Sequence, residues 1–227
     1  ELTLTIDQAN YFSFNVDDLE EKLSHVNWKE LATSGGAYGL KNKFDQEVLD
    51  YMATQALAAN QVNDKATANI LTVGFASGQQ DPLNLLSKMA RLLDEQEVPE
   101  EGRWLVVSPR FLETLVQSSS KLISTDYNDG AASLKNGLVM AAPLRGFRIH
   151  KTNNAPVYTS TGGTPVVGAD ILMAGHMSAV ATASAITNTE TFRNQTTFGD
   201  VVRGLHVYAR SVVRPESLCV AHITYPA

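Results

Sequence analysis

The sequence contains one cysteine in 227 residues, Cys219, which excludes an internal disulfide and fits a reducing compartment. Its setting in SLCVAHI marks it as a buried structural thiol and not a nucleophile. No apolar run approaches the ~18 residues of a membrane span. Basic charge is scarce: 18 Lys and Arg against 24 Asp and Glu leave a net charge of −6. Sequence-independent grip on nucleic acid rests on Lys and Arg neutralising phosphates, so this balance argues against extensive DNA wrapping. Internal repeats, low-complexity tracts and Pro- or Ser-rich linkers are missing as well. The chain begins at Glu1 with neither methionine nor a charged-then-apolar leader, and further residues are expected before it.

The motifs of common chemistry are equally scarce. His25, His150, His176, His206 and His222 are scattered, and none stands in a metal-ligand spacing, so each is expected to be structural. SGGAYGLK lacks the spacing and the Gly-Lys-Ser/Thr ending of a phosphate loop and sits between helices; a helix hinge is the expectation there. No Gly-x-Ser-x-Gly elbow occurs. Asp94, Glu95, Glu97, Glu100 and Glu101 lack the alternating ligand spacing and loop glycine of a calcium site, and are expected at a solvated helix end or facing another subunit. Asn194 heads an Asn-Gln-Thr triplet, which without a secretory leader is an accidental match to a glycosylation acceptor. No catalytic residue, cofactor or metal site is assigned.

What is present is a globular pattern, 44% hydrophobic and 19% charged. ELTLTID alternates with period two, and NYFSFNVDD puts Phe12, Phe14 and Val16 on one face; with a turn at Asp7–Asn10 this predicts an N-terminal hairpin or ribbon. From Asp17 helical spacing takes over, through Leu19, Leu23 and Val26 and then Leu40, Phe44, Val48, Met52 and Ala56. Gly35, Gly36 and Gly39 each weaken a helix by about 1 kcal/mol relative to Ala. Two helical pieces, or one with a weak middle, are expected, ending near Asn60. Asp81 and Pro82 start a second helix and Ser108 and Pro109 a third, with RWLVV a buried strand between them. Residues from Ser118 to Gly137 look like a long surface loop. Strands are expected at LRGFRIHK, PVYTS, TPVVGADILMAG, SAVATASAIT and SLCVAHITY. VVRGLHVYARSVV, Val201 to Val213, would extend about 40 Å as one strand. It places Val201, Leu205, Val207 and Val213 on one face and Val202, Tyr208 and Val212 on the other.

VPEEGRWLVVSPRFLETL (Val98–Leu115), GFRIHKTNNAP (Gly146–Pro156), GHMSAVATASAI (Gly175–Ile186) and FGDVVRGLHVYARSVVRPESL (Phe198–Leu218) together resemble the major capsid proteins of tailed double-stranded DNA bacteriophages, most closely the podovirus-type coat proteins. TIDQANYFSFNVDDLEE fits the family's approach to its long helix. The fold implied is α+β, the HK97-type capsid fold. It has a peripheral domain, a long spine helix with long antiparallel strands, and an axial domain, a mixed sheet flanked by helices. On this likeness residues 1–67 and 175–213 would be peripheral, with the base of an extended loop, and residues 68–174 and 214–227 axial. Asp17–Asn60 would be the spine helix, and Val201–Val213 would run antiparallel to Ala179–Thr187. The glycine cluster departs from a spine helix, and the N-terminal arm and part of the extended loop are expected to be missing.

The function so implied is a coat protein without catalytic turnover or cofactor, forming hexamers and pentamers of an icosahedral shell around double-stranded DNA, which it encloses without sequence-specific binding. Scaffolding, portal and cementing proteins are the implied partners, no membrane is involved, and assembly would occur in the host bacterial cytoplasm. Arg193, Asp200, Arg203, Arg214 and Glu216 are candidates for inter-subunit or inter-strand pairing; the alternative is exposed charge worth at most about 1 kcal/mol each. An encapsulin-like nanocompartment shell and a monomeric hydrolase with a non-local triad are the competing readings.

Overall fold

The computed structural model describes residues 3–17, 28–62, 70–116, 144–159 and 165–226. In chain order the elements are β1 (Gln8–Asp17), α1 (Trp28–Gln55), β2 (Gln61–Val62), β3 (Leu71–Thr72), α2 (Pro82–Glu95), β4 (Arg103–Val107), α3 (Pro109–Val116), β5 (Arg148–Lys151), β6 (Val157–Thr159), β7 (Pro165–His176), β8 (Val180–Arg193), β9 (Gly199–Val212) and β10 (Leu218–Thr224). They fall into two compact units, Glu1–Val48 with Ala181–Ser211, and Leu49–Val180 with Val212–Ala227. The expected loop from Ser118 onward lies outside the described residues, as do residues 18–27, where the long helix was expected to begin.

In the first unit the alternation of NYFSFNVD produces one continuous strand, with Phe12, Phe14 and Val16 more buried than Tyr11, Ser13 and Asn15. The expected N-terminal hairpin is corrected. Residues 3–7 form no strand, and β1 runs straight through the proposed turn to pair antiparallel with β9, from Gln8 opposite Tyr208 to Asp17 opposite Gly199. The distant strand satisfies the backbone groups that a local hairpin would have paired. The sheet order is β1-β9-β8. β8 continues to Arg193, beyond the stretch expected from sequence. Only Asn194–Phe198 separates β8 from β9, and the Asn194 amide donates to the Gly199 carbonyl at 2.9 Å, so the two strands form an antiparallel hairpin.

Of the two expectations for the glycine stretch, one helix with a weak middle holds and two separate pieces do not: α1 is continuous through Gly35, Gly36 and Gly39, and it stops at Gln55, followed by a 3-10 turn at Ala58–Asn60. Packing explains Gly36. A Cβ there would come within 2.9 Å of the Phe12 ring, and one at Gly204 within 2.3 Å of it. Phe12 occupies the space that the two glycines leave, and burying a Phe contributes about 1.5–3 kcal/mol when complete. That offsets the ~1 kcal/mol lost in helix propensity. Gly35 and Gly39 face open space.

A polar clamp reinforces this contact. Phe44 meets the buried Tyr208 edge-on, with ring centroids 4.7 Å apart. The Tyr208 hydroxyl donates to the Glu47 carboxylate, which also accepts from Asn10 Nδ2 at 3.0 Å and lies 3.4 Å from Lys43 Nζ. Arg210 donates to the Glu47 carbonyl. Burial works to raise the Glu47 pKa, but the hydrogen bonds from Tyr208, Asn10 and Lys43 outweigh it and hold the group below its ordinary value. Burial first, and then the Glu47 carboxylate, push the Tyr208 hydroxyl up to about 12.

The second unit is built on a sheet ordered β2-β10-β7-β4-β5, with β3 also on β10 and β6 on β7. β10 is parallel to β2 and β3 and antiparallel to β7, and β4 is antiparallel to β7 and parallel to β5. The Asp81 carboxylate caps α2 by accepting from the Leu83 amide at 2.7 Å, and Pro82 takes the first turn. Leu85, Leu86, Met89 and Leu93 of α2 join Phe111 and Leu115 of α3 against Leu105, Val107, Leu172, Ala174, Cys219 and Ala221 of the sheet. Leu218 and Val220, alternating with these on β10, are buried too. Burial on both faces is why SLCVAHI is nearly all apolar. Burial also pushes the Cys219 thiol up to about 12, which keeps it protonated and unreactive.

Arg103 closes the acidic turn between α2 and β4. Its side chain is only 3% exposed, with Nη2 on Asp94 Oδ1 at 2.7 Å and on the Val98 carbonyl, and Nε on the Pro99 carbonyl at 2.9 Å. Glu95 pairs with Arg91 one helical turn earlier.

Three predictions concern unassembled subunits. Gly35→Ala raises unfolding free energy by up to about 1 kcal/mol, because only helix propensity changes. Gly36→Ala lowers it, because Phe12 must move; urea denaturation separates the two signs. Arg103→Ala costs about 2–3 kcal/mol because it leaves buried carbonyls unpaired, whereas Asp94→Ala, at an exposed carboxylate, costs at most about 1 kcal/mol. Glu47 titrates lower in the folded state than in the unfolded one, so its contribution is full above the ordinary Glu range and disappears as pH falls through the folded pKa. Glu47→Gln therefore flattens the acid limb of a plot of urea midpoint against pH.

Candidate assembly surface

The β1-β9-β8 sheet has two unlike faces. Phe12, Gly204 and Tyr208 face α1, as their contacts with Gly36 and Phe44 require. By strand alternation Tyr11 and Ser13 of β1 and Arg203 and Leu205 of β9 point the other way. In the register Tyr11 stands opposite Leu205 and Ser13 opposite Arg203. These residues, with Asn188 and Glu190 of β8 and with Phe12 and Gly204 between them along β1 and β9, line a recess of about 460 Å³. Tyr11 is 77% exposed and Leu205 38%.

Ion pairs organise the rim and the hairpin. Arg203 pairs with Glu190 across β9 and β8, and its guanidinium lies over the Phe192 ring, 4.9 Å from the centroid. Asp200 accepts from Lys29 Nζ at 2.6 Å and from Arg193 Nη1 at 3.2 Å. The hydrogen bonds from Lys29 and Arg193 hold its carboxyl below the ordinary range. Exposed pairs of this kind contribute little stability; their effect is to hold strand register and side-chain direction. His206 joins the same hairpin, Nε2 lying 2.6 Å from Ser184 Oγ and the ring stacking on Tyr208.

The turn at Asn194–Phe198 is a built structure. Asn194 Oδ1 accepts from the Thr196 amide at 3.0 Å and from its hydroxyl at 2.9 Å, so the Asn-Gln-Thr triplet shapes the turn. The Gly199 amide donates to the Thr197 carbonyl at 3.0 Å. A Cβ at Gly199 would meet the Val16 carbonyl at 2.5 Å, so only glycine allows this close approach to β1. Phe198, held between these constraints, is 85% exposed.

Of the five charged residues singled out in the sequence, the structure brings Arg193 and Asp200 together and places Arg203 on the same hairpin. Arg214 and Glu216 belong to the other unit, with exposed side chains. There the Arg214 carbonyl accepts from the Ser217 amide at 3.1 Å and the Glu216 carbonyl from Asn60 Nδ2 at 2.7 Å. The sequence reading missed Lys29, Glu190, Phe192 and Phe198. Glu190 and Phe192 carry a readable signal, the i, i+2 spacing that puts both on one strand face. Lys29 carries none, since only the folded chain brings it to Asp200.

Among the described residues no group of three His, Cys, Asp or Glu side chains could hold a metal ion. No helix among them is long and apolar enough to cross a membrane. The groups with raised pKa, Tyr208, Tyr225 and Cys219, owe the shift first to burial within the packed units.

No curated protein matches the chain by sequence. Among solved structures, that of Mycobacterium phage Che8 is similar with a TM-score of 0.76 and 29% identity, covering 96% of this chain and 71% of that one. The capsid of the cyanophage P-SCSP1u follows at 0.71 and 18%, covering 98% and 73%. An encapsulin from Synechococcus elongatus shares the fold at greater distance, 0.58 and 9%, covering 96% and 73%. The architecture is thus the HK97-type capsid fold, α+β as its sequence suggested. A family model described as phage capsid protein matches residues 14–221, which takes in most of both units, and the chain belongs to that family.

Proposed function

We propose that this chain is the major capsid protein of a tailed double-stranded DNA phage, forming the hexamers and pentamers of an icosahedral head. A phage capsid protein is a structural subunit of a homo-oligomeric shell and resides in the virion capsid. The observation that carries the fuller proposal is the family match across residues 14–221, supported by the 29% identity to the Che8 structure. On this reading residues 1–67 and 175–213, which hold α1 and the long strands β8 and β9, are the peripheral domain, and residues 68–174 and 214–227, which hold most of the larger sheet, are the axial domain. The subunit turns over no substrate, is assembled in the host cytoplasm, and meets portal, scaffolding and cementing proteins as well as its own copies.

The physical basis is a sum of modest contacts. A shell subunit meets several neighbours through different surfaces, and many individually weak contacts become durable when all are made at once. Arg193, Asp200 and Arg203 act chiefly by stiffening the hairpin that presents such a surface, while Arg214 and Glu216 extend exposed charge towards neighbouring copies. A net charge of −6 keeps the subunit from gripping packaged DNA along its backbone.

Expression of the full-length protein, with its scaffolding protein where one exists, is expected to yield closed shells or ring-shaped capsomers in electron micrographs. A monodisperse monomer under the same conditions would sink the proposal.

A further inference from the structure

The outward recess on β1-β9-β8 and the exposed Phe198 at the end of the same hairpin form a complementary pair that one molecule cannot close on itself. We propose that Phe198 of one subunit seats in the recess walled by Tyr11 and Leu205 of a neighbouring copy. This rests on the shell-subunit reading and specifies one of its contacts.

Three observations carry it. The first is the character of the recess: Tyr11 and Leu205 supply apolar walls, Ser13 lies beside them, and Arg203 and Glu190 neutralise each other at the edge. No net charge is left to select an ionic partner, and Arg203 is already stacked on Phe192. The preferred occupant is therefore a neutral apolar side chain, for which Tyr and Arg are effective surroundings at interfaces. The second is the knob. Phe198 is the most exposed of the large hydrophobic residues among those described, at 85%, and it sits on a turn held by the Asn194 side chain, the Thr197 carbonyl and the close approach of Gly199 to Val16. A side chain presented so rigidly loses little freedom on docking. The third is distance. Phe198 precedes β9, and Leu205 lies seven residues further along this extended segment, roughly 20 Å away at about 3.3 Å per residue. The knob cannot fold back into its own recess, so a second copy must supply the recess it enters.

The geometry of such a contact suits a shell. Each copy offers one knob and one recess on different surfaces, which makes the contact heterologous, and a heterologous contact that closes generates a ring. The opposite face of the sheet is not open to a neighbour in this way, since α1 is packed on it through Phe12, Phe44 and Tyr208.

Disulfide trapping in assembled particles tests the pairing. Phe198→Cys and Leu205→Cys are both surface substitutions, and the native Cys219 is buried and contributes little background. The double variant, oxidised after assembly, is expected to give a ladder of dimers and higher multimers on a non-reducing gel, while each single variant stays at the monomer position. Particles of the double variant that give no ladder overturn the inference, as does cross-linking by Phe198→Cys alone, which would mean that tip meets tip. Should the double variant not assemble, a photo-reactive phenylalanine analogue at position 198 reports the same neighbour. Peptides carrying Tyr11 or Leu205 in the cross-link support the pairing; any other site overturns it. Because wild-type particles are imaged in parallel, failure of the shell-subunit reading shows as absent particles, and failure of this contact shows as particles with a different cross-link.

Discussion

Among the described residues, the three-stranded sheet β1-β9-β8 has two faces, and α1 covers one of them. That constraint governs the unit built on β1, β8 and β9. Phe12 sits between Gly36 and Gly204, Phe44 lies on Tyr208, and the Glu47 carboxylate gathers donors from Tyr208 and Asn10. All of these act on the face towards α1. The other face keeps Tyr11, Leu205, Phe192 and an ion pair in solvent. A sheet face of this kind suits a subunit whose remaining cover arrives from other copies, and membership of the capsid family provides those copies.

The second unit has solved the same problem internally. β10 is buried on both faces and paired on both edges, and α2 and α3 lie on a core that runs from Leu85 to Ile223. Even its single buried cation, among the described residues, is satisfied by Asp94 and the carbonyls of Val98 and Pro99. Among the described residues the two units thus differ: one is built around a large buried core, and the other keeps a sheet face and a hairpin tip exposed. Local order in the open part comes from inexpensive devices, the Asn194 turn and the Lys29–Asp200–Arg193 cluster, which hold shape without adding much stability.

Elements whose signal is local were legible. Asp81 with Pro82, and Ser108 with Pro109, start helices because a side-chain cap and a residue without an amide hydrogen suit the first turn. Alternation found the long strands, and the resemblance carried jointly by Val98–Leu115, Gly146–Pro156, Gly175–Ile186 and Phe198–Leu218 gave the fold class. What was misread and what was left open share a cause. The hairpin expected at Asp7–Asn10 and the choice between one helix and two at Gly35–Gly39 concern residues whose partners lie far along the chain: β1 finds β9, and Gly36 makes room for Phe12. Glycine lowers helix propensity, and nothing in its neighbourhood reveals that a ring from another strand needs the space.

By itself, then, the sequence determined the class of the molecule: a globular apolar pattern, a lone thiol placed for burial, helix starts, strand alternation and the family likeness. These depend on composition and on neighbours within a few residues. The tertiary structure decided which faces are covered and which stay open. It showed that Asp200 belongs with Lys29 and Arg193, that Arg203 belongs with Glu190, and that Phe198 stands out from a braced turn beyond reach of its own recess. Each depends on which strands pair and which face the helix covers, and only the folded backbone decides that.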